Sequence, residues 1–170
     1  NLDLNEFNFT AEVPQFKFNQ YNFDEVKLTA IGKGDSLVLT GETKNIKIND
    51  SLNIPLTFFT VNVRNDSSKV SINTGANQAV EKANLNALVL TYGDGVEIEF
   101  DPSSFSVNGK AWTIDEAGVL KFRRNTAASG QLVITEGEQK ILLKTQQSTK
   151  GNWNDLKVEL TKVNLGDFAP

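Results

Sequence analysis

Apolar residues recur at every second position in one short segment after another along this chain. That spacing puts them on one face of a β-strand and suits no amphipathic helix. Phe7, Phe9, Ala11 and Val13 alternate with Asn8, Thr10 and Glu12; Phe16 and Phe18 continue after Pro14, and Val26, Leu28 and Ala30 follow a polar break at Tyr21-Asn22. Leu37/Leu39, Ile46/Ile48, Leu52/Ile54/Leu56, Phe59/Val61/Val63 and Val70/Ile72 come next. Turn-rich links such as Gly32-Lys33-Gly34-Asp35, Asn49-Asp50 and Asn65-Asp66-Ser67-Ser68 separate them. The second half keeps the same phase in Val96/Ile98/Phe100, Phe105/Val107, Trp112/Ile114, Leu120/Phe122, Leu132/Ile134, Ile141/Leu143 and Leu156/Val158/Leu160.

One stretch is ambiguous. Ala79, Ala83 and Ala87 fall four apart as on a helix, while Ala83, Leu85 and Ala87 also alternate; a strand from about Asn84 to Tyr92 is expected, with Gln78 to Lys82 able to form one helical turn. Elsewhere nothing offers the ten or so helically periodic residues of an ordinary amphipathic helix, so the class is all-β. Short links favour antiparallel neighbours, because parallel strands need long crossovers. Uniform strands with short links fit one long curled meander better than a compact sandwich. The terminal segments, Leu2 to Val13 and Leu156 to Phe168, read like the middle ones, as in an excerpt of a repetitive sheet whose neighbours pair with those edges.

Composition removes most chemistry. The 170 residues contain no His and no Cys, which excludes Ser-His and Cys-His nucleophile pairs, disulfides and nearly all zinc or transition-metal sites within the chain. With 17 basic and 21 acidic side chains the net charge is -4, so no basic field exists for a nucleic-acid backbone. The chain opens on Asn1 with polar residues and no leader-like core, and reads as a piece of something longer. Its longest apolar run, Ala87-Leu88-Val89-Leu90, falls far short of a membrane-spanning helix.

The remaining polar candidates are weak. Glu97 and Glu99 have a carboxylate pair's composition, but they alternate with Val96, Ile98 and Phe100 and therefore face solvent. Asp94, Asp101, Asp115 and Glu116 lack the oxygen-ligand spacing of a calcium loop, and no metal or other cofactor is expected. Trp112, Trp153, Tyr21 and Tyr92 could form a stacking platform for sugar, although Trp112 shares the phase of Ile114 and points to the apolar face. A carbohydrate-binding sandwich and an adhesin-type module are thus the competing readings.

Several segments resemble the TamB family, the AsmA-like subunits of the translocation and assembly module, in the form typical of Bacteroidetes-like bacteria. They are Asp35-Ser-Leu-Val-Leu-Thr with Asn49-Asp-Ser-Leu-Asn-Ile, Asp101-Pro-Ser-Ser-Phe-Ser-Val-Asn-Gly-Lys-Ala-Trp112-Thr-Ile, Gln139-Lys-Ile-Leu-Leu-Lys, and Asp155-Leu-Lys-Val-Glu-Leu-Thr-Lys-Val-Asn-Leu-Gly-Asp-Phe. The resemblance implies a taco-like, U-shaped sheet with a hydrophobic concave groove, in the periplasmic part of an envelope protein anchored in the inner membrane by a segment outside this chain. It implies no catalytic activity. The implied roles are phospholipid transport between membranes and outer-membrane protein assembly with an Omp85-type barrel partner.

The alternation itself supports a continuous apolar face. Each methylene moved from water onto such a face gains about 0.8 kcal/mol, so acyl chains or hydrophobic nascent strands bind without specific polar contacts. The groove is expected to be lined by Val26, Leu28, Leu37, Leu39, Ile46, Ile48, Ile54, Phe59, Val61, Ile72, Val96, Ile98, Ile141, Leu143, Val158 and Leu160. The competing arrangement for the same residues is the closed core of a sandwich or barrel.

Overall fold

Strand formers separated by Gly and Asx links turn the chain straight back on itself again and again, and the result is one antiparallel sheet. The computed structural model describes residues 6–19, 21–47, 53–75, 80–124 and 129–168. Within them lie β1 (Glu6–Phe18), β2 (Tyr21–Lys33), β3 (Ser36–Lys47), β4 (Asn53–Arg64), β5 (Ser67–Thr74), β6 (Val80–Tyr92) and β7 (Gly95–Phe100). There follow β8 (Ser103–Val107), β9 (Lys110–Ile114), β10 (Gly118–Arg123), β11 (Gly130–Glu136), β12 (Gln139–Gln147) and β13 (Asn154–Thr161), then a 3-10 turn, Leu165–Phe168. All thirteen strands join one sheet.

Two interruptions conceal a simpler order. Along one edge of β6, β7 pairs with Ala87–Tyr92 and β8 with Val80–Asn84, so β7 and β8 are one strand broken at Asp101-Pro102. Proline has no N–H for the ladder, which explains the break. In the same way β10 pairs with β7 and β9 with β8, with Asp115 to Ala117 between them. The thirteen strands therefore occupy eleven rungs of an up-and-down meander. The β8–β9 hairpin turns on Asn108-Gly109, both at positive φ (48° and 75°), the two-residue turn whose twist matches the flanking strands.

Several expected boundaries shift. Val80–Lys82 are extended, not helical, because Val80 pairs with Val107 and Lys82 with Ser106 of β8; Gln78 and Ala79 lie outside the described residues, as do Leu2 and Ile48. The segments expected on either side of Pro14, of Lys44 and of Leu56 merge into single long strands. The phase, expected to hold, slips along a line through Pro14, Glu25, Thr43-Lys44 and Leu56, where pairing is skipped and Glu25 takes φ 48°. Thr43 anchors that line by donating to the Asp24 carbonyl at 2.9 Å. Beyond it the apolar residues have the other parity: Phe16 opposite Phe23, Ile46 opposite Ile54. Finally, β13 stops at Thr161, and Lys162 at φ 53° turns the chain away before Leu165–Phe168, a stretch expected to be strand.

Among the described residues the buried apolar cluster sits at the corner where β10 meets β11 through a single residue pair. Ile114, Leu120 and Leu132 are buried, with Phe100, Phe122, Ile134 and Leu143 packed around them. Gly118 makes room: a Cβ there would lie 2.6 Å from Leu132 Cδ1. Beyond the Val119–Gln131 pairing, β11 no longer flanks β10. Its next N–H groups are taken by side chains from further along the sheet: the Lys121 N–H donates to Thr145 Oγ1 at 3.0 Å and the Arg123 N–H to Asn154 Oδ1 at 2.7 Å. Both acceptors are buried, and a buried polar group needs such a partner when water is excluded.

Candidate functional site

Directly opposed residues of neighbouring antiparallel strands share a face, so register alone traces what each face presents. One row runs Phe9, Ala30, Leu39, Val61, Val70, Ala87, Phe100, Gly118, and then Leu132, Leu143, Val158. Gly118 and Leu132 are joined by direct contact. The row holds one residue per rung, from β1 to β13, and none is polar.

The flanking rows extend it. Phe7, Gly32, Leu37, Val63, Ser68, Val89, Ile98 and Leu120 lie on one side, Ser68 being its one polar member; Leu28, Gly41, Phe59, Ile72 and Leu85 lie on the other. Two aromatic rings cover the glycines in these rows. A Cβ at Gly32 would meet the Phe7 ring and one at Gly41 the Phe59 ring, so the rings lie flat over the backbone and leave no hole in the apolar surface.

Most of the expected lining residues fall on these rows. Leu39, Val61, Leu143 and Val158 are in the central row; Leu37 and Ile98 stand in one flank, Leu28, Phe59 and Ile72 in the other. Val26 opposes Val13, Val96 opposes Phe122, and Ile141 opposes Leu160. Ile46 and Ile54 oppose each other beyond the phase slip. Phe7, Phe9, Phe100, Leu120 and Leu132 belong to the same surface and were legible from the same alternation, though not singled out as lining.

Exposure is uneven along the face. At the corner Leu132 is buried, whereas at the two sheet edges Phe9 is 55% and Val158 53% exposed, with Phe7, Leu156 and Leu160 nearly as open. The opposite face carries the ions. Glu6 pairs with Lys33, Lys27 with Glu42 and Lys121 with Glu97, each directly across a strand boundary, and Glu159 bridges Lys144 and Lys157. Glu159 is held below the usual carboxylate range by hydrogen bonds from Lys157 and Lys144.

One end of the apolar face is covered. Trp112 is fully buried, stacked on Phe105 with ring centroids 6.4 Å apart and met by Phe168 at 5.2 Å. Asp167 fixes the Leu165–Phe168 turn: Lys110 Nζ lies 2.5 Å from its Oδ2, Gln139 Nε2 donates to the same oxygen at 3.0 Å, and Asn164 Nδ2 donates to Oδ1 at 3.0 Å. Asn108 donates to the Asp167 carbonyl at 3.0 Å. The Lys110 and Gln139 hydrogen bonds lower the Asp167 carboxyl below its ordinary value, and Asp167 raises Lys110. The local signal for this turn was Asn164, whose Oδ1 accepts the Gly166 N–H at 3.1 Å.

The polar candidates resolve into structure. Glu97 does not face open solvent as expected: its side chain is only 13% exposed, because Lys121 and Arg123 close over it. Asp94 binds Arg123, and Asp115 accepts from Thr113. No group of carboxylates among the described residues has metal-site geometry. Of the aromatic set, Trp112 is buried, and Tyr92 and Trp153 each carry an arginine over one ring face, Arg123 at 3.7 Å and Arg124 at 4.7 Å.

The chain matches no protein-family model, no curated protein and no solved structure.

Proposed function

We propose that the apolar face holds the acyl chains of phospholipid, and that the protein is a non-enzymatic, TamB-like module of the bacterial periplasm conducting lipid between inner and outer membranes. The observation that carries this reading is the unbroken apolar row whose outermost members, Phe9 and Val158, are more than half exposed. A closed core would cover its edges; a surface this apolar and this open is a signature of interaction. Hydrocarbon is the favoured occupant because the row offers no polar group to orient a headgroup, and each methylene placed on it gains about 0.8 kcal/mol.

A second role, guiding hydrophobic nascent strands to an Omp85-type barrel, rests on the same face together with the outer edges of β1 and β13, which pair with no other strand among the described residues. Those edges also suit pairing with neighbouring repeats. Native mass spectrometry of the purified protein, with extraction of copurified lipid, tests the lipid reading. Bound phospholipid lost in a folded Val158→Arg variant is the expected result. A lipid-free wild-type protein that also ignores added phospholipid vesicles would overturn it.

A further inference from the structure

We infer that the Leu165–Phe168 turn is a strap that imitates a phospholipid at the Trp112 end of the apolar face, and that this end is a binding site for an acyl ester carrying an anionic phosphate. The inference rests on the lipid reading above and gives it a specific location. Two adjacent residues copy the two halves of such a ligand: the Asp167 carboxylate sits on Lys110 Nζ at 2.5 Å, and the Phe168 ring lies against Trp112 at 5.2 Å.

The strap is held weakly for what it covers. None of its residues is buried, and Leu165 and Phe168 remain exposed. Its hold comes from polar contacts that converge on Asp167 from Asn108 and Lys110 of the β8–β9 hairpin and from Gln139 at the start of β12. Segments with little buried apolar area open locally at low cost. Beneath it, Trp112 is completely buried, yet among the described residues its indole N–H meets no acceptor, a rare condition for a buried donor.

A phospholipid answers each feature. Its chain replaces Phe168 against Trp112 and Phe105 and continues along the apolar rows. The ester carbonyl accepts the idle Trp112 Nε1–H, and the phosphate replaces the Asp167 carboxylate on Lys110, an exchange of one anionic oxygen for another. Lys110 has its charge-assisted partner in both states, so lifting the strap strands no cation.

The test uses Trp112 fluorescence in a Trp153→Phe background, with vesicles of phosphatidylglycerol brominated on one acyl chain. Strap-released variants, Asp167→Ala and the milder Phe168→Ala, are expected to show severalfold greater quenching of Trp112 by acrylamide and by the brominated lipid. Adding Lys110→Met to Phe168→Ala should weaken lipid binding about tenfold, the equivalent of one charge-assisted hydrogen bond. Circular dichroism verifies the fold, and Phe168→Ala stands in if Asp167→Ala does not fold. Unchanged acrylamide quenching on strap release would overturn the strap. Lipid bound equally well with and without Lys110, or bound without quenching Trp112, would overturn the site while leaving the lipid reading intact. No lipid bound by any variant would overturn the lipid reading itself.

Discussion

Phe9 and Val158 stand at opposite edges of the same eleven-rung row, and both are more than half exposed. Between them the row is continuous and apolar, which makes the edges the places where a charge can be introduced without entering a core. Phe9→Arg or Val158→Arg should change stability by no more than about 0.5 kcal/mol, yet reduce bound lipid. Thermal unfolding and native mass spectrometry on the same samples check both halves. A large loss of stability at either edge would mean that these residues are buried in solution.

Leu132, at the corner, should behave oppositely. Leu132→Ala removes a buried side chain from contact with Ile114 and Leu120 and is expected to cost about 2 to 5 kcal/mol. Leu132→Arg should prevent folding, since it buries an unpaired charge. Denaturant midpoints of the alanine variant measure the first effect.

Thr145 offers a test of the corner's polar clasp. Its hydroxyl receives the Lys121 N–H at 3.0 Å, and the residue is buried. Thr145→Val keeps the shape but leaves that N–H without an acceptor, at a cost of about 1 to 3 kcal/mol. Chemical denaturation gives the magnitude, and hydrogen exchange at Lys121 should accelerate.

The Asp167 latch predicts a pH response of definite sign. Because the Asp167 carboxyl titrates below its ordinary value in the folded protein, its contribution is complete above that value and is lost as pH falls through the lowered one. Lys110 is raised by the same contact, so its contribution holds below the ordinary lysine value and disappears as pH climbs through the raised one. The stability difference between wild type and Asp167→Asn should be flat near neutrality and shrink as pH falls through and below the ordinary carboxylate range. A difference that grew on acidification would contradict the latch.

Alternation made the class, the antiparallel meander and the identity of the apolar face legible in the sequence, since period two has one structural meaning when it recurs in so many segments. Strand continuity was harder to read. Pro14, Lys44 and Leu56 look like boundaries, but a sheet tolerates a skipped pair inside a long strand when every neighbouring strand skips at the same line. The reverse happens at Pro102, where a true break leaves two strands collinear. The burial of Trp112 could not be read from its phase, because its cover comes from Leu165–Phe168, dozens of residues away and written in strand-like letters.

The up-and-down order also governs how this protein comes apart. Each rung is paired almost entirely with the rungs beside it in sequence, so the free energy of the sheet is close to a sum of neighbour terms, as in a linear array. Fraying should begin at β1, which among the described residues has a strand partner on one side only, because the other edge, β13, is tied to β10 through Asn154, and it should move inward toward the clasped corner at β10 and β12. The folded unit thus has a direction of unravelling. A rung added or removed at the β1 side would alter the length of the greasy track while leaving the anchoring corner as it stands.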